Sequence, residues 1–147
     1  MNVSDEQITG FISERSLVCI RRDEIDSRSW KAFPLAFSDQ LLLVQYIYDF
    51  RVDGQLIFRR NDVTSITCRA TDQFQRRLLK DNGLIQQIDF DFKATLSSFS
   101  ALLESQSPSS IVILEKEGLD DPMFWIGRHI DSNEETRRLH EFSGAAN

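Results

Sequence analysis

A three-strand pattern runs through this chain twice, and the second run is the shorter. Ser16 to Phe50 reads SLVCIRRDEIDSRSWKAFPLAFSDQLLLVQYIYDF, and Ser110 to Phe142 reads SIVILEKEGLDDPMFWIGRHIDSNEETRRLHEF. Each is an apolar strand, an acidic loop, an aromatic-led strand, a polar turn and a third strand. The first run continues through QLIFRRNDVTSITC, whereas the second goes on to SGAAN. Strands must pair, so the pattern predicts one sheet-forming unit and an incomplete second copy of it. Phe33 and Ile126, Phe37 and Ile130, and Pro34 and Gly127 are each 93 positions apart, which sets the expected register of the repeat.

Within the first copy, Leu17 to Arg22 is a strand and Asp23 to Ser29 a charged loop. Phe33, Leu35 and Phe37 alternate with Ala32, Pro34 and Ala36, a half-buried strand signature. Pro34 lacks an N–H, so it marks an edge or a sharp bend. Leu41 to Tyr48 is apolar at nearly every position and reads as buried on both faces. DFRVDG, Asp49 to Gly54, is a connector ending in the Asp-Gly turn signal. Leu56 to Arg59 and Val63 to Cys68 complete five strands. Their spacing predicts a small SH3-like barrel, whose closure removes exposed edges.

Helices punctuate these strands. Ser4 with Gln7 fits a capping box, followed by Ile8, Phe11 and Ile12 on one face. Thr71 is the expected cap of a second helix with Phe74, Leu78 and Leu79 as its apolar stripe and Gly83 as its stop. Ile88, Phe90 and Phe92 alternate with Asp89, Asp91 and Lys93, which predicts an amphipathic strand. Thr95 is expected to open a third helix with Leu96, Phe99, Leu102 and Leu103 on one side. SQSPSS, Ser105 to Ser110, is a linker by composition. The expected organisation is an N-terminal helix, barrel and helix over residues 1–83, a strand–helix connector and linker over 84–110, and the incomplete second unit over 111–147. The fold class is mainly β with short helices (α+β).

The chain resembles an uncharacterised bacterial family with Sm-like, SH3-type barrel units in tandem. The resemblance rests on Phe37-Ser38-Asp39, on DFRVDG, on Arg59-Arg60-x-Asp62-Val63, on the Phe74 helix and on FWIGR, Phe124 to Arg128. It covers most of the chain. Its motifs are structural, and it implies no activity, cofactor or catalytic residue. It does imply that the second barrel is completed by two further strands.

Charge and composition narrow the function classes. With 147 residues, 41% of them hydrophobic, there is material for one good core or two small ones. A net charge of −6 opposes non-specific binding to nucleic acid or anionic lipid. The N-terminus has no basic stretch ahead of an apolar core, and no run reaches membrane-spanning length, so a cytoplasmic location is expected.

No residue group stands out as catalytic. Cys19 and Cys68 fall on the first and fifth strands, which neighbour each other in such a barrel, and are expected to be buried thiols acting as small apolar residues. His129 and His140 are the sole histidines and have no nucleophile placed by a local motif, so they are expected as exposed strand residues. The acidic loops Asp23-Glu24-x-Asp26 and Glu117-x-x-Asp120-Asp121 match no calcium loop and are expected to be solvated. No glycine-rich phosphate loop or metal-ligand spacing is present, so neither cofactor nor metal is expected.

The leading expectation is a non-enzymatic protein-interaction domain. Its surface would be the open β-edge of the second unit, with Phe124, Trp125, Ile126, Arg128, Leu139 and Phe142 as contact residues and a protein or a second copy of the chain as partner. The alternative is an Sm-like RNA-binding protein that uses Arg59, Arg60, Arg76 and Arg77 for phosphate, with Tyr46, Tyr48 and Phe50 stacking bases.

Overall fold

The structure, a computed structural model, describes residues 3–105, 112–116, 123–132 and 137–141. In the last three stretches it describes the backbone and the Ile113 side chain. The chain divides into two units, Met1–Ala94 and Thr95–Asn147.

The first unit opens with α1 (Asp5–Ser13), capped as the sequence predicts. The Gln7 N–H donates to Ser4 Oγ at 3.2 Å, and the Ser4 N–H donates to Gln7 Oε1 at 3.2 Å. Five strands follow: β1 (Val18–Arg21), β2 (Ser29–Phe37), β3 (Leu41–Tyr48), β4 (Arg51–Arg59) and β5 (Ser65–Thr67). They form one antiparallel sheet in the order β4-β3-β2-β1-β5. The sheet is open: among the described residues no ladder joins β4 to β5.

Both faces of this sheet bury apolar residues, which explains why β3 is apolar at nearly every position. On one face Val18, Ile20, Trp30, Ala32, Leu42, Val44 and Phe58 form a cluster with Ile8, and Phe11 and Ile12 of α1 pack against it. On the other, Leu17, Phe33 and Ile47 meet Leu79 of α2 (Ala70–Asp81) and Ile88. Lys31 of β2 donates to the buried Asp72 carboxylate, which also accepts the Arg69 N–H at 2.9 Å. Asp72 therefore both caps α2 and pins it to the sheet. The helix starts at Ala70, so Thr71 lies inside its first turn and the expected Thr71 cap is replaced by Asp72 reaching back to the Arg69 N–H. The helix ends at Gly83, φ 74°, where the Leu84 N–H donates to the Leu79 carbonyl at 2.9 Å and the Gly83 N–H to that of Lys80 at 3.0 Å. This double bond closure needs the left-handed residue that glycine supplies.

Four local expectations are corrected. Phe74 is half exposed, not part of the apolar stripe. Of the two readings of Pro34 the edge is the one corrected: it sits on β2, an inner strand, beside a register shift between Pro34 and Ala36, where a bulge bends the strand. Asp53-Gly54 is not the hairpin turn. β3 and β4 pair through Tyr48 and Arg51, and the two turn residues are Asp49 and Phe50, at φ 49° and 58°. Asp53-Gly54 instead forms a bulge within β4, where the register shifts between Gln45 and Ile47. The amide of buried Gln45 donates to the Asp53 and Gly54 carbonyls there and satisfies the groups that leave the ladder. Finally, Ile88–Phe92 is not a strand. A 3-10 turn, Ile85–Gln87, leads into a segment that docks Ile88 and Phe90 on the sheet and leaves Asp89 and Asp91 in solvent. The alternation is real, but this segment has no partner strand in the described residues.

The second unit holds α3 (Phe99–Glu104), β6 (Val112–Lys116), β7 (Met123–Ser132) and β8 (Arg137–Glu141). The α3 cap is Ser98, whose Oγ accepts the Ala101 N–H at 3.1 Å, so the helix starts later than Thr95. The strands form an antiparallel sheet in the order β6-β7-β8, and α3 lies against β7. The β7–β8 hairpin has the register of β2–β3. Pro34↔Val44 and Ala36↔Leu43 in one become His129↔Leu139 and Asp131↔Arg138 in the other, 95 residues on in both strands, bulge included. In the register of these two hairpins the displacement is 95 and not 93: Gly127 stands where Ala32 stands, and His129 where Pro34 stands. Trp30 then matches Trp125. The two displacements differ by two residues, the period of a strand, so alternation alone could not separate them; the bulge does.

Candidate interaction edge and the arginine cluster

The terminal strands of the two sheets differ in what they offer a partner. β5 is three residues long. β4 is nine residues long, but its edge is broken by the Asp53-Gly54 bulge and lined by exposed Arg51, Asp53 and Arg59, devices that blunt an edge against strand addition. In the second unit, β6 and β8 are five-residue strands, each paired on one side only among the described residues. Ile113 on β6 is 57% exposed. Of the residues expected to carry an interaction, Phe124, Trp125, Ile126 and Arg128 lie on β7, the central strand, with Trp125 opposite Leu114 and Arg128 opposite His140. Leu139 lies on β8, opposite His129. Phe142 lies outside the described residues. The backbone edges thus belong to β6 and β8, and four of the six expected residues sit one strand inside them, on β7.

The four arginines of the RNA reading do not make one site. Arg60 is committed to the fold: its guanidinium donates to the Ser38 and Val3 carbonyls, both at 3.0 Å, and pairs with Asp5 at 2.7 Å. It also lies 5.3 Å from the Phe37 ring centroid. Arg76 donates to the Arg15 carbonyl at 2.7 Å. Arg59 and Arg77 are exposed, and Arg77 lies over Phe74. A cavity of about 140 Å³ opens beside Arg60, with Ile8, Leu42 and Ile66 below and Asp39 and Asn61 beside it. Its one cation already spends its donors on carbonyls, so the cavity offers an anion little.

The aromatics of that reading are elsewhere. The Trp30 and Tyr46 rings pack at a tilt, 5.2 Å between centroids, and those of Tyr46 and Tyr48 likewise at 6.1 Å. Arg28 lies 4.0 Å above Trp30. Tyr48 and Phe50 are exposed at the β3–β4 turn, while Arg59 pairs with Leu41 at the other end of the hairpin. Seven residues of strand separate the two ends, roughly 23 Å. Sequence spacing did not reveal this, because the turn was expected at Asp53-Gly54, closer to Arg59.

The remaining candidates are built into local structure. Asp23 accepts from Arg21 and Thr64, and Asp26 from Arg22 and the Arg28 N–H. Glu117, Asp120 and Asp121 lie outside the described residues. His129 and His140 are placed by strand register alone. Among the described residues no three His, Cys, Asp or Glu gather as a metal site. Cys19 and Cys68 are half-buried rather than buried. Cys68 packs against the cluster of Val18 and Ile20, whereas Cys19, between those two residues on β1, faces the other side of the sheet. Burial, and next the charge of Asp72, push the Cys68 thiol above its ordinary value. No described helix is long and apolar enough to cross a membrane.

Comparison with protein families, curated proteins and solved structures finds no match to the chain.

Proposed function

We propose that this protein is a non-enzymatic interaction domain that binds a partner by strand addition to the open edge of its β6-β7-β8 sheet. In this reading the first unit is an SH3-like barrel without its closing ladder, and the second is an incomplete copy of it. The shared hairpin register, displaced by 95 residues with its bulge, supports the kinship. The observation that carries the function is the side of β8 that has no partner strand among the described residues. In the first unit β3, the counterpart of β8, takes β4 along that same side. Backbone hydrogen bonds from an incoming strand supply affinity, and alternate side chains supply selectivity.

Selection of extended peptides from a random display library on the full chain tests this. The expected binders shift backbone resonances of β8. Adjacent residues of a strand point their N–H groups to opposite sides, so one of Arg138→Pro and Leu139→Pro removes an outward donor and spares the β7–β8 ladder. That variant is expected to stay folded and lose binding. Binders that map away from the β6-β7-β8 sheet, or none at all, would contradict the proposal.

The RNA-binding alternative retains exposed Arg59 and Arg77 and the exposed Tyr48 and Phe50. It loses support from the commitments of Arg60 and Arg76 and from the length of the hairpin. Salt-sensitive RNA affinity that falls on neutralising Arg59 and Arg77 would favour it.

A further inference from the structure

We infer that the strand received by β8 is the β8 of a second copy, paired antiparallel about Leu139; this rests on the strand-addition reading above. The argument is complementarity of β8 with itself. Its residues are Arg137, Arg138, Leu139, His140 and Glu141. Antiparallel pairing centred on Leu139 sets Leu139 against its own copy, Arg137 against Glu141 of the second chain and Glu141 against Arg137 on that face, with Arg138 against His140 in both directions on the other. Two opposite-charge cross-strand pairs flank an apolar pair, the arrangement that stabilises neighbouring strands. A register centred on Arg138 would oppose that arginine to itself. One centred on His140 would oppose Leu139 to Glu141. Charge therefore selects one register of the three.

The other edges do not offer this. β6, Val112–Lys116, paired with itself about Leu114 would set Val112 against Lys116 and Ile113 against Glu115. β4 is interrupted by its bulge and β5 is three residues long. Pairing through β8 joins two three-stranded sheets into one of six, related by a two-fold axis and closed as an isologous dimer. Five residues of strand bury far less than a standard interface, so the association is weak and concentration-dependent.

The test is sedimentation equilibrium of the full chain from micromolar to millimolar concentration. The expected result is a reversible monomer–dimer equilibrium. Arg137→Glu alone and Glu141→Arg alone each turn both attractive pairs into repulsive ones and are expected to weaken the dimer by about tenfold or more. Mixing the two variants restores both pairs, as does the double variant R137E/E141R, and dimer affinity returns. Circular dichroism reports folding; where a single variant fails to fold, the double variant decides. A monomer throughout, or a dimer indifferent to charge reversal, would overturn the inference. If peptides still bind β8 in that case, strand addition stands and only the self-pairing falls.

Discussion

The guanidinium of Arg60 reaches back to the carbonyl of Val3, 57 residues earlier, and donates to it at 3.0 Å. It holds the entry of α1 against the end of β4 while its other arm donates to the Ser38 carbonyl at the β2–β3 turn. Three separate pieces of chain meet at one side chain, so Arg60 is a structural clasp and not a free phosphate ligand.

Arg60→Ala is expected to cost about 2 kcal/mol, because it strips two carbonyls of a charged donor. In a domain of this size that lowers Tm by roughly 10 °C. Arg60→Lys recovers little, since an ammonium cannot span the same fork. Arg77→Ala, on the exposed face of α2, should stay within about 0.5 kcal/mol of the wild type. Thermal unfolding of the three variants checks the contrast.

Gly54→Ala separates a bulge from a turn. A turn glycine at positive φ resists alanine, and the substitution would destabilise. In the structure Gly54 has no positive φ and nothing stands within 4 Å of a Cβ placed there. Gly54→Ala is therefore expected to be neutral or to stabilise by up to about 1 kcal/mol, read as a rise in the denaturant midpoint.

Phe50 is the converse. A phenylalanine at φ 58° on an exposed turn is held in a region that costs an L-residue about 1–2 kcal/mol. Phe50→Gly, and more so Asp49→Asn with Phe50→Gly, supplies the residues preferred by a two-residue turn with both central φ positive. A net gain of about 0.5–1 kcal/mol is expected after the added entropy of glycine in the unfolded chain. Loss of stability would mean that the Phe50 ring contributes more than its backbone costs.

These two positions also show what the sequence could and could not disclose. The strands β1, β2 and β3 and the cap at Ser4 were legible, because alternation and capping are local. The Asp53-Gly54 bulge was not, because it depends on Gln45, eight residues away, finding the Asp53 carbonyl. The same dipeptide serves turn and bulge, and only the partner strand decides. What the two sheets share is the register of one hairpin, β2–β3 and β7–β8, at a displacement one strand period from the one that alternation suggested. Of the proposed interaction residues, Phe124 and Trp125 lie on β7, since their composition gives no sign of which strand is central. Arg60 and Arg76 read as surface charge because backbone carbonyls, their partners, leave no trace in composition.

The Cys68 thiol gives a pH prediction. Its value is raised in the folded state, by burial first and by Asp72 second. The folded state thus holds its proton to higher pH than the unfolded chain does. Stability from this group is fully present below the unfolded value and is lost as pH rises through the raised one. Unfolding midpoints should fall as pH climbs through the thiol range, and Cys68→Ser should flatten that decline. At pH 8 Cys68 should alkylate more slowly than an unstructured thiol.

Residue-resolved amide exchange of β8 tests strand addition most directly. Within β8 the inward N–H groups are already bonded to β7, so an added strand newly protects only those that point outward. On raising the protein concentration or adding a selected peptide, alternate amides from Arg137 to Glu141 are expected to slow while their neighbours stay unchanged. Protection that is uniform along β8, or absent from it while binding is saturated, would contradict strand addition at this edge.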